Sequence, residues 1–517
     1  MEMAPKPIPS PKRASASEAK VAYFEGDFER CLAICADIRV RSIATASEVA
    51  LLSARAYLRS GRPTEAEEVL LDSLASHTSL DAALTAKMLL GVARIRRGDP
   101  DDGLALLHKA AGQAENAHFA VRAEIAFSTA LGYWAKRELD LVEVYLEQVD
   151  PRSDIIHARA LELRAWCYDA RRDYRRAADF FVLTLNRLDE CKVQDRAITA
   201  TALSILAILG AELVDAQLVE LVECRTQHMV WSTGITTHRY LCLAYLAHYH
   251  EFVGNSFQAF ELATQATEAA PTAAFQVFGL GLLSSLARNA GENLSARLYA
   301  QRARGLLKTL DARKFVGEER FAMLVVAESC VSFDPDTAKE LYAQYWGLAP
   351  VDQMLALAGD QRLTGEETFV AGALAEARQD LDEAQECYQQ AFKIFRSIRY
   401  VRRAVIAAYA LIRISISNDE AHRYIDAHTE GMSNYITRAI QMYGDHRKPL
   451  ITHPLVTALP PAQREIVELL CQGRSNKEIA QIRVVGEQTI KNMLTRNIFP
   501  VFGVSSRTAL VSVCLAT

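Results

Sequence analysis

The sequence predicts an all-α protein in two parts: a long array of helical hairpins, then a small helical domain at the C-terminal end. Three observations predict it. Short turn signals recur along most of the chain. Between them, apolar residues fall three and four apart, the period of one helix face. After His446 the pattern breaks at a run of prolines, and short capped helices with a basic balance follow.

The 517 residues suffice for several domains or one long array. Half are hydrophobic, and 24 Gly and 15 Pro are few for that length, so a large helical core can be buried. The net charge of −5 argues against a chain that coats nucleic acid along its whole length. From 455 to 517 the balance reverses: Arg464, Arg474, Lys477, Arg483, Lys491, Arg496 and Arg507 stand against Glu465, Glu468, Glu478 and Glu487. An acidic body with a basic end fits a sensing part joined to a DNA-reading part, although a basic surface helix gives the same sum. Ten cysteines with no CxxC pair indicate reduced thiols in a reducing cytoplasm. Residues 1–17 are rich in Pro, Ser, Ala and Lys, lack an apolar leader core, and read as a disordered arm. No run of about 18 apolar residues free of charge occurs, so no membrane span is expected.

Residues 18–440 form the expected array. Its turns are Gly26-Asp27-Phe28, Gly61-Arg62-Pro63, Gly98-Asp99-Pro100, Arg137-Glu138-Leu139, Arg172-Asp173-Tyr174, Gly254-Asn255-Ser256, Gly291-Glu292-Asn293 and Gln379-Asp380-Leu381. They lie roughly 35–45 residues apart, or twice that where one is missed, which is the length of a helical-hairpin repeat. Within a unit the pattern Ala165, Tyr168, Tyr174, Ala177, Phe181 recurs with the same gaps as Ala19, Ala22, Phe28, Cys31, Cys35 and as Gly372, Ala375, Leu381, Ala384, Tyr388. Small residues let antiparallel helices approach, and large ones fill the wedge between hairpins. These residues resemble the tetratricopeptide repeat family. The resemblance implies a solenoid of about ten hairpins whose concave face binds a peptide or protein; the functional expectation is that the body binds a protein, peptide or small effector. Ala197–Val230 is poorly punctuated and Asp311–Gly365 irregular.

Residues 441–458, with Pro449 and His453-Pro454, read as a linker into a domain spanning 459–517. Pro461 suits the first turn of a helix over Ala462–Gln472, which Gly473 stops. Ser475 and Glu478 form a capping box for a short helix, Asn476–Ile482. A turn through Val484-Val485-Gly486 leads to a third helix starting near Glu487. Two short helices joined by a tight turn, the second carrying Gln488, Thr489, Lys491, Asn492 and Arg496, are the layout of a groove-reading helix-turn-helix.

Consecutive pieces of this segment then resemble the LuxR-type helix-turn-helix, in order and near the right spacing. They are Leu459 with Arg464-Glu465-Ile466-Val467 and Leu469-Leu470; Gly473 with Ser475-Asn476-Lys477-Glu478-Ile479-Ala480; Thr489-Ile490-Lys491-Asn492; and Gly503-Val504-Ser505-Ser506-Arg507-Thr508. The resemblance implies a four-helix domain whose recognition helix enters the major groove of double-stranded DNA, with Lys491 reaching it. Asn492 and Thr495 would face base edges or phosphates. Ser475, Asn476 and Lys477 would offer a helix N-terminus to phosphate, and Arg507 a further phosphate contact. Paired half-sites would imply a homodimer. The sequence departs from the family pattern at Arg483, Gly486 and Met493, in one extra residue between Leu494 and Gly503, and at Pro500. An interior proline costs about 3 kcal/mol, so the recognition helix is expected to end near Ile498.

Other features read as structural. Cys31 and Cys35 occupy core repeat positions. His238, His248 and His250 beside Glu251 lack a second ligand cluster, so no metal site is expected. Arg171-Arg172 with Arg175-Arg176 form a solvated helix-turn face, and Tyr240, Tyr245 and Tyr249 pack between hairpins. No phosphate-binding loop, HExxH, G-x-S-x-G or dinucleotide fingerprint occurs, so neither an enzyme nor a cofactor is expected. The expectation is a bacterial, cytoplasmic transcription regulator whose body controls its DNA-binding end. The alternative is an interaction scaffold with a degenerate tail that no longer binds DNA.

Overall fold

The computed structural model of the protein describes residues 14–38, 42–73, 79–191, 194–311, 315, 318–346, 359–414, 418–428, 454–457 and, with short breaks, 459–510. Among these, every regular element is helical. The chain divides into two compact units, residues 1–288 with 292–408, and 409–517 with 289–291.

The first unit is a row of antiparallel hairpins. They are α1 (Ala16–Phe24) with α2 (Phe28–Asp37), α3 (Ile43–Arg59) with α4 (Pro63–Ser73), α5 (Leu80–Arg96) with α6 (Pro100–Gly112), α7 (Phe119–Ala135) with α8 (Leu139–Leu146), and α9 (Asp154–Ala170) with α10 (Tyr174–Glu190). Then follow α11 (Arg196–Leu213) with α12 (Ala216–His228), α13 (Thr236–Phe252) with α14 (Ser256–Glu268), α15 (Ala273–Asn289) with α16 (Asn293–Leu307), α17 (Glu318–Cys330) with α18 (Pro335–Trp346), and α19 (Gly359–Ala377) with α20 (Leu381–Ser397). α21 (Val401–Ile414) and α22 (Asp419–His428) come next.

One backbone device makes most of the turns. A residue at positive φ ends the first helix, and the next residue caps the second. Gly26, Gly61, Gly98, Gly254 and Gly291 hold the left-handed position, as do Arg137, Arg172, Val214 and Gln379. Asp27, Asp99, Asp173, Asp215 and Asp380 then accept hydrogen bonds from backbone N–H groups two or three residues on. Ala197–Val230 looked unpunctuated because Val214 stands where other turns have Gly or a long polar residue. Its turn is nevertheless formed, at φ 57°. In the irregular stretch, Asp334 caps α18 through Thr337 at 3.1 Å, and residues 347–358 lie outside the described residues.

The repeat positions are buried as their pattern requires. Ala165, Tyr174, Ala177, Phe181, Ala19, Cys31, Ala384 and Tyr388 are each 1% exposed or less. A side chain at Gly372 would meet the Tyr388 ring at 2.8 Å, so only glycine allows that helix approach. α11, long and apolar enough to cross a bilayer, is 78% buried within the array, the condition of a core helix.

The array winds back on itself. Ala197, Ala200 and Ile235 share a core cluster with the first hairpin. Ser232 Oγ donates to the Glu25 carbonyl at 2.8 Å, and Arg59 pairs with Asp195 at 3.2 Å. Further along, Arg402 pairs with Glu212 at 2.6 Å, and the Tyr174 and Tyr400 rings meet at 5.2 Å. These closures join hairpins four to six places apart along the chain.

Two domain boundaries are corrected. The helix begins at Ala16, inside the arm expected over 1–17, because Ser15 accepts the Glu18 N–H at 3.2 Å and starts the first turn. Residues 1–13 lie outside the described residues. The linker expected over 441–458 is also too long at its end. Pro454–Thr457 is helical, and Val456 is buried with Leu459, Ile466 and Leu470 in the core of the terminal domain.

Candidate nucleic-acid interface

The terminal domain is built around one small core. α23 (Pro454–Thr457) and α24 (Pro461–Cys471) supply Val456, Ile466, Val467 and Leu470 to it. Ile479 and Ala480, also helical and buried, come from the short scaffold helix. Gly473, Ser475, Lys477 and Glu478 lie outside the described residues. The turn that follows is closed by the Arg483 N–H to the Ile479 carbonyl and the Val485 N–H to the Ala480 carbonyl, both at 2.9 Å. Gly486 precedes α25 (Glu487–Met493) in extended conformation with no side-chain cap.

The recognition helix does not stop near Ile498, as expected from Pro500. After α25 the chain makes a π-helical turn, Leu494–Ile498, and resumes as α26 (Phe499–Phe502). The Phe499 N–H bonds back to the Leu494 carbonyl, five residues earlier. A π turn is how a helix absorbs one additional residue, which accounts for the extra position noted between Leu494 and Gly503. It also places Pro500 in the first turn of the resumed segment, where no backbone donor is required. Ile490, Leu494, Ile498 and Phe502 therefore face the core along the whole length, each 8% exposed or less.

The opposite face is open. Glu487, Gln488, Thr489, Lys491, Asn492, Thr495, Arg496 and Asn497 are all exposed. Gln488 Nε2 donates to Asn492 Oδ1 at 3.2 Å, and Thr495 Oγ1 donates to the Lys491 carbonyl at 2.9 Å. Lys491 Nζ lies 2.9 Å from Glu487 Oε1. An exposed i,i+4 pair of this kind is worth about 0.3–0.5 kcal/mol and yields readily to a phosphate. Thus Gln488, Thr489, Lys491, Asn492, Thr495 and Arg496 come together on one face.

Two expected contacts sit elsewhere. Asn476 is half-buried, and its Oδ1 is buried with no hydrogen-bond partner among the described residues, so that oxygen faces the protein. Arg507 is half-buried in the last helical turn described. The sequence reading missed Asn497, which continues the open face, and Glu487, which places a carboxylate on it. Arg483, in place of an apolar residue, is 24% exposed and pairs with Glu465 of α24, so the departure keeps its charge in contact with an opposite one.

The histidines singled out earlier are not brought together. His250 Nε2 meets Glu223 at 2.6 Å, and His238 Nδ1 meets Ser204 Oγ at 2.9 Å. His248 is held neutral by burial and the nearby Arg402 and Arg403. No group of three potential metal ligands occurs among the described residues. Arg171 and Arg175 pair with Asp140 and Asp215 on neighbouring hairpins. Cys31 and Cys35 lie in the core of the first hairpin.

A helix anchored on a shared core, turned from a scaffold helix and bare on its polar side, defines a helix-turn-helix domain. Residues 457–514 match the family model described as bacterial regulatory proteins, luxR family, and this segment is a LuxR-type domain. None of the curated proteins compared with the chain matches it. Among solved structures, the chain is similar to a Rap protein complexed with competence and sporulation factor: 13% identity, 73% of this chain and 99% of that one, TM-score 0.37. It is also similar to the APC/C hetero-tetramer Cut9-Hcn1, at 12% identity over 82% of this chain and 91% of that one, with a TM-score of 0.24. Likenesses this distant carry nothing about function.

Proposed function

We propose that the protein is a bacterial transcription regulator that binds double-stranded DNA through α25 and the π turn, under control of an effector-binding array. The observation that carries this reading is the exposed Gln488–Arg496 face on a core-anchored helix of a LuxR-type domain. Lys491 and Arg496 reach phosphate or guanine, and Asn492 has the donor–acceptor pair that matches adenine. Binding of paired half-sites calls for a homodimer. The array contributes by binding a protein, peptide or small effector that prefers one of two arrangements of the chain. No catalytic step enters this reading.

The test is DNA binding by the full chain, measured by fluorescence anisotropy and by immunoprecipitation of bound DNA from cells, with Lys491→Ala as control. The expected result is specific sites that are lost in the variant, with the logarithmic salt slope falling by about one. Absence of any duplex binding at low salt, together with partner capture that the variant leaves intact, would instead support an interaction scaffold. Glu487 beside Lys491 is the observation that favours that alternative, because it halves the positive charge of the face.

A further inference from the structure

The first unit carries a half-open cavity of about 340 Å³ lined by α1, α3, α7, α9 and the start of α11. That volume lies in the range of small-molecule sites. Its lining combines apolar side chains, Phe24, Leu51, Leu52, Ile155 and Ile156, with charged ones, Arg55, Arg59, Arg159, Glu124 and Asp195. Lys20 and Glu48, paired at 2.5 Å, complete the lining.

All but one of these charges are matched within the protein. Arg55 grips Glu124 through both guanidinium nitrogens, the second at 2.7 Å. Arg59 meets both oxygens of Asp195, at 3.2 and 3.3 Å. Asp195 also takes the Ala197 and Ile198 N–H groups, each at 3.1 Å. Arg159 is the exception. Among the described residues it makes no hydrogen bond or ion pair, and its guanidinium rests over the Phe127 ring, 4.5 Å from the centroid. That contact is worth about 0.5–2 kcal/mol and leaves the five N–H donors of the fork unspent.

Glu124 and Glu162 favour the charged form of Arg159 from nearby, but Glu124 is held by Arg55 and neither carboxylate bonds to Arg159 among the described residues. Arg96 brings another guanidinium nearby, bonded to the Leu58 carbonyl, and burial with Arg159 and Arg59 close by pushes its pKa down to about 10. Burial and Arg59 lower the pKa of Arg159 itself. Glu162, one turn along α9, is raised to about 7 by burial, so its carboxyl supplies only part of a counter-charge at neutral pH. Arg159 is half-buried, so its free donors are served by water or by an anion that enters the cavity.

We propose that this cavity binds a small organic monocarboxylate with an apolar body, the carboxylate taken by the Arg159 fork and the body lying against Phe24, Leu51, Ile155 and Ile156. Arg159 matches a planar carboxylate through two parallel hydrogen bonds. The Glu124 and Asp195 carboxylates in the same lining disfavour a second negative charge on the ligand, which selects a monoanion. The inference rests on the array being the sensing part of the proposed regulator. Binding is read on the protein without DNA, so its failure leaves the DNA-binding reading standing.

The experiment is isothermal titration of the full chain with hexanoate, octanoate, decanoate and 3-phenylpropanoate, against decanol as the neutral control. We expect saturable binding of at least one acid, one per chain, at least tenfold tighter than decanol. Arg159→Ala lowers that affinity at least tenfold while its thermal midpoint, read by circular dichroism, stays level or rises, since an unpaired charge has been removed. Arg159→Gln, which keeps the length of the side chain, serves if the alanine variant does not fold. Ile156→Trp, which fills the cavity with Arg159 intact, also blocks the acid. Equal affinity for acid and alcohol, acid binding unchanged in either Arg159 variant, or no binding of any of the four acids at millimolar concentration would overturn the proposal.

Discussion

Gly26→Ala and Gly98→Ala probe the winding of the array, because the two glycines share a backbone conformation and differ in surroundings. Both have positive φ, 79° and 96°. A methyl group at Gly98 meets nothing within 4 Å, whereas one at Gly26 meets Ile235 Cγ2 at 2.9 Å and Ser232 Oγ at 3.4 Å. Holding alanine in the left-handed region costs about 1–2 kcal/mol. About 0.4–1 kcal/mol is returned because the unfolded chain has less freedom to lose. Gly98→Ala therefore destabilises its hairpin by about 1 kcal/mol. Gly26→Ala adds an overpacking cost of about 1–3 kcal/mol, for a total of about 2–4 kcal/mol. Hydrogen exchange followed by mass spectrometry on the full chain separates the two, since a tenfold change in opening corresponds to about 1.4 kcal/mol. In the Gly98 variant, faster exchange should stay within α5 and α6. In the Gly26 variant, α1, α2 and the segment Ser232–Ile235 should open together, and further than in the Gly98 variant. Equal effects in the two variants, or a Gly26 variant that leaves Ser232–Ile235 protected, would refute the closure of the first hairpin on that segment.

Two further outcomes follow from charges described above. Glu487→Gln removes the carboxylate beside Lys491, so duplex affinity should rise about two- to fivefold at low salt and the gain should fade as salt screens it; anisotropy between 50 and 200 mM salt, ranges of about this order being usual, reads both, and weaker binding would count against Lys491 contacting DNA. Burial raises the Glu162 carboxyl from the usual 4.5 to about 7. Its contribution to stability is thus fully present below pH 4.5 and is lost as pH rises through about 7. Glu162→Gln should flatten that decline, by on the order of 1–2 kcal/mol between those limits, and parallel urea midpoints of the two proteins across that pH range would rule the idea out.

Much of the array was legible because its turns combine two local signals, a residue tolerant of positive φ and an acidic or amide cap. Where both stand in the chain, as at Gly26-Asp27 and Gly98-Asp99, the turn falls in the expected place. Val214-Asp215 escaped notice because a β-branched residue there violates the local preference, and the packing of Val219 and Val222 overrides it. The winding was not legible at all: it depends on pairs such as Arg402–Glu212, 190 residues apart, that leave no local trace. In the terminal domain, the six residues of the open face were readable from helical spacing. The π turn was readable in principle. Ile490, Leu494, Ile498 and Phe502 repeat strictly every four residues, too long a period for an α-helix over that length. Weighing Pro500 by its usual cost hid that signal.

The closures between hairpins four to six places apart have a mechanical consequence. An open solenoid behaves as a spring, because each unit touches only its neighbours and pitch can change at little cost. Here successive coils are fastened to each other by Arg59–Asp195 and by Arg402–Glu212. Stretching would have to pull those bonded carboxylates away from their guanidiniums, so the array resists extension and transmits a push at one coil to the next. It behaves as a stack of washers clamped together, and a small molecule lodged between two of them would be felt as a wedge.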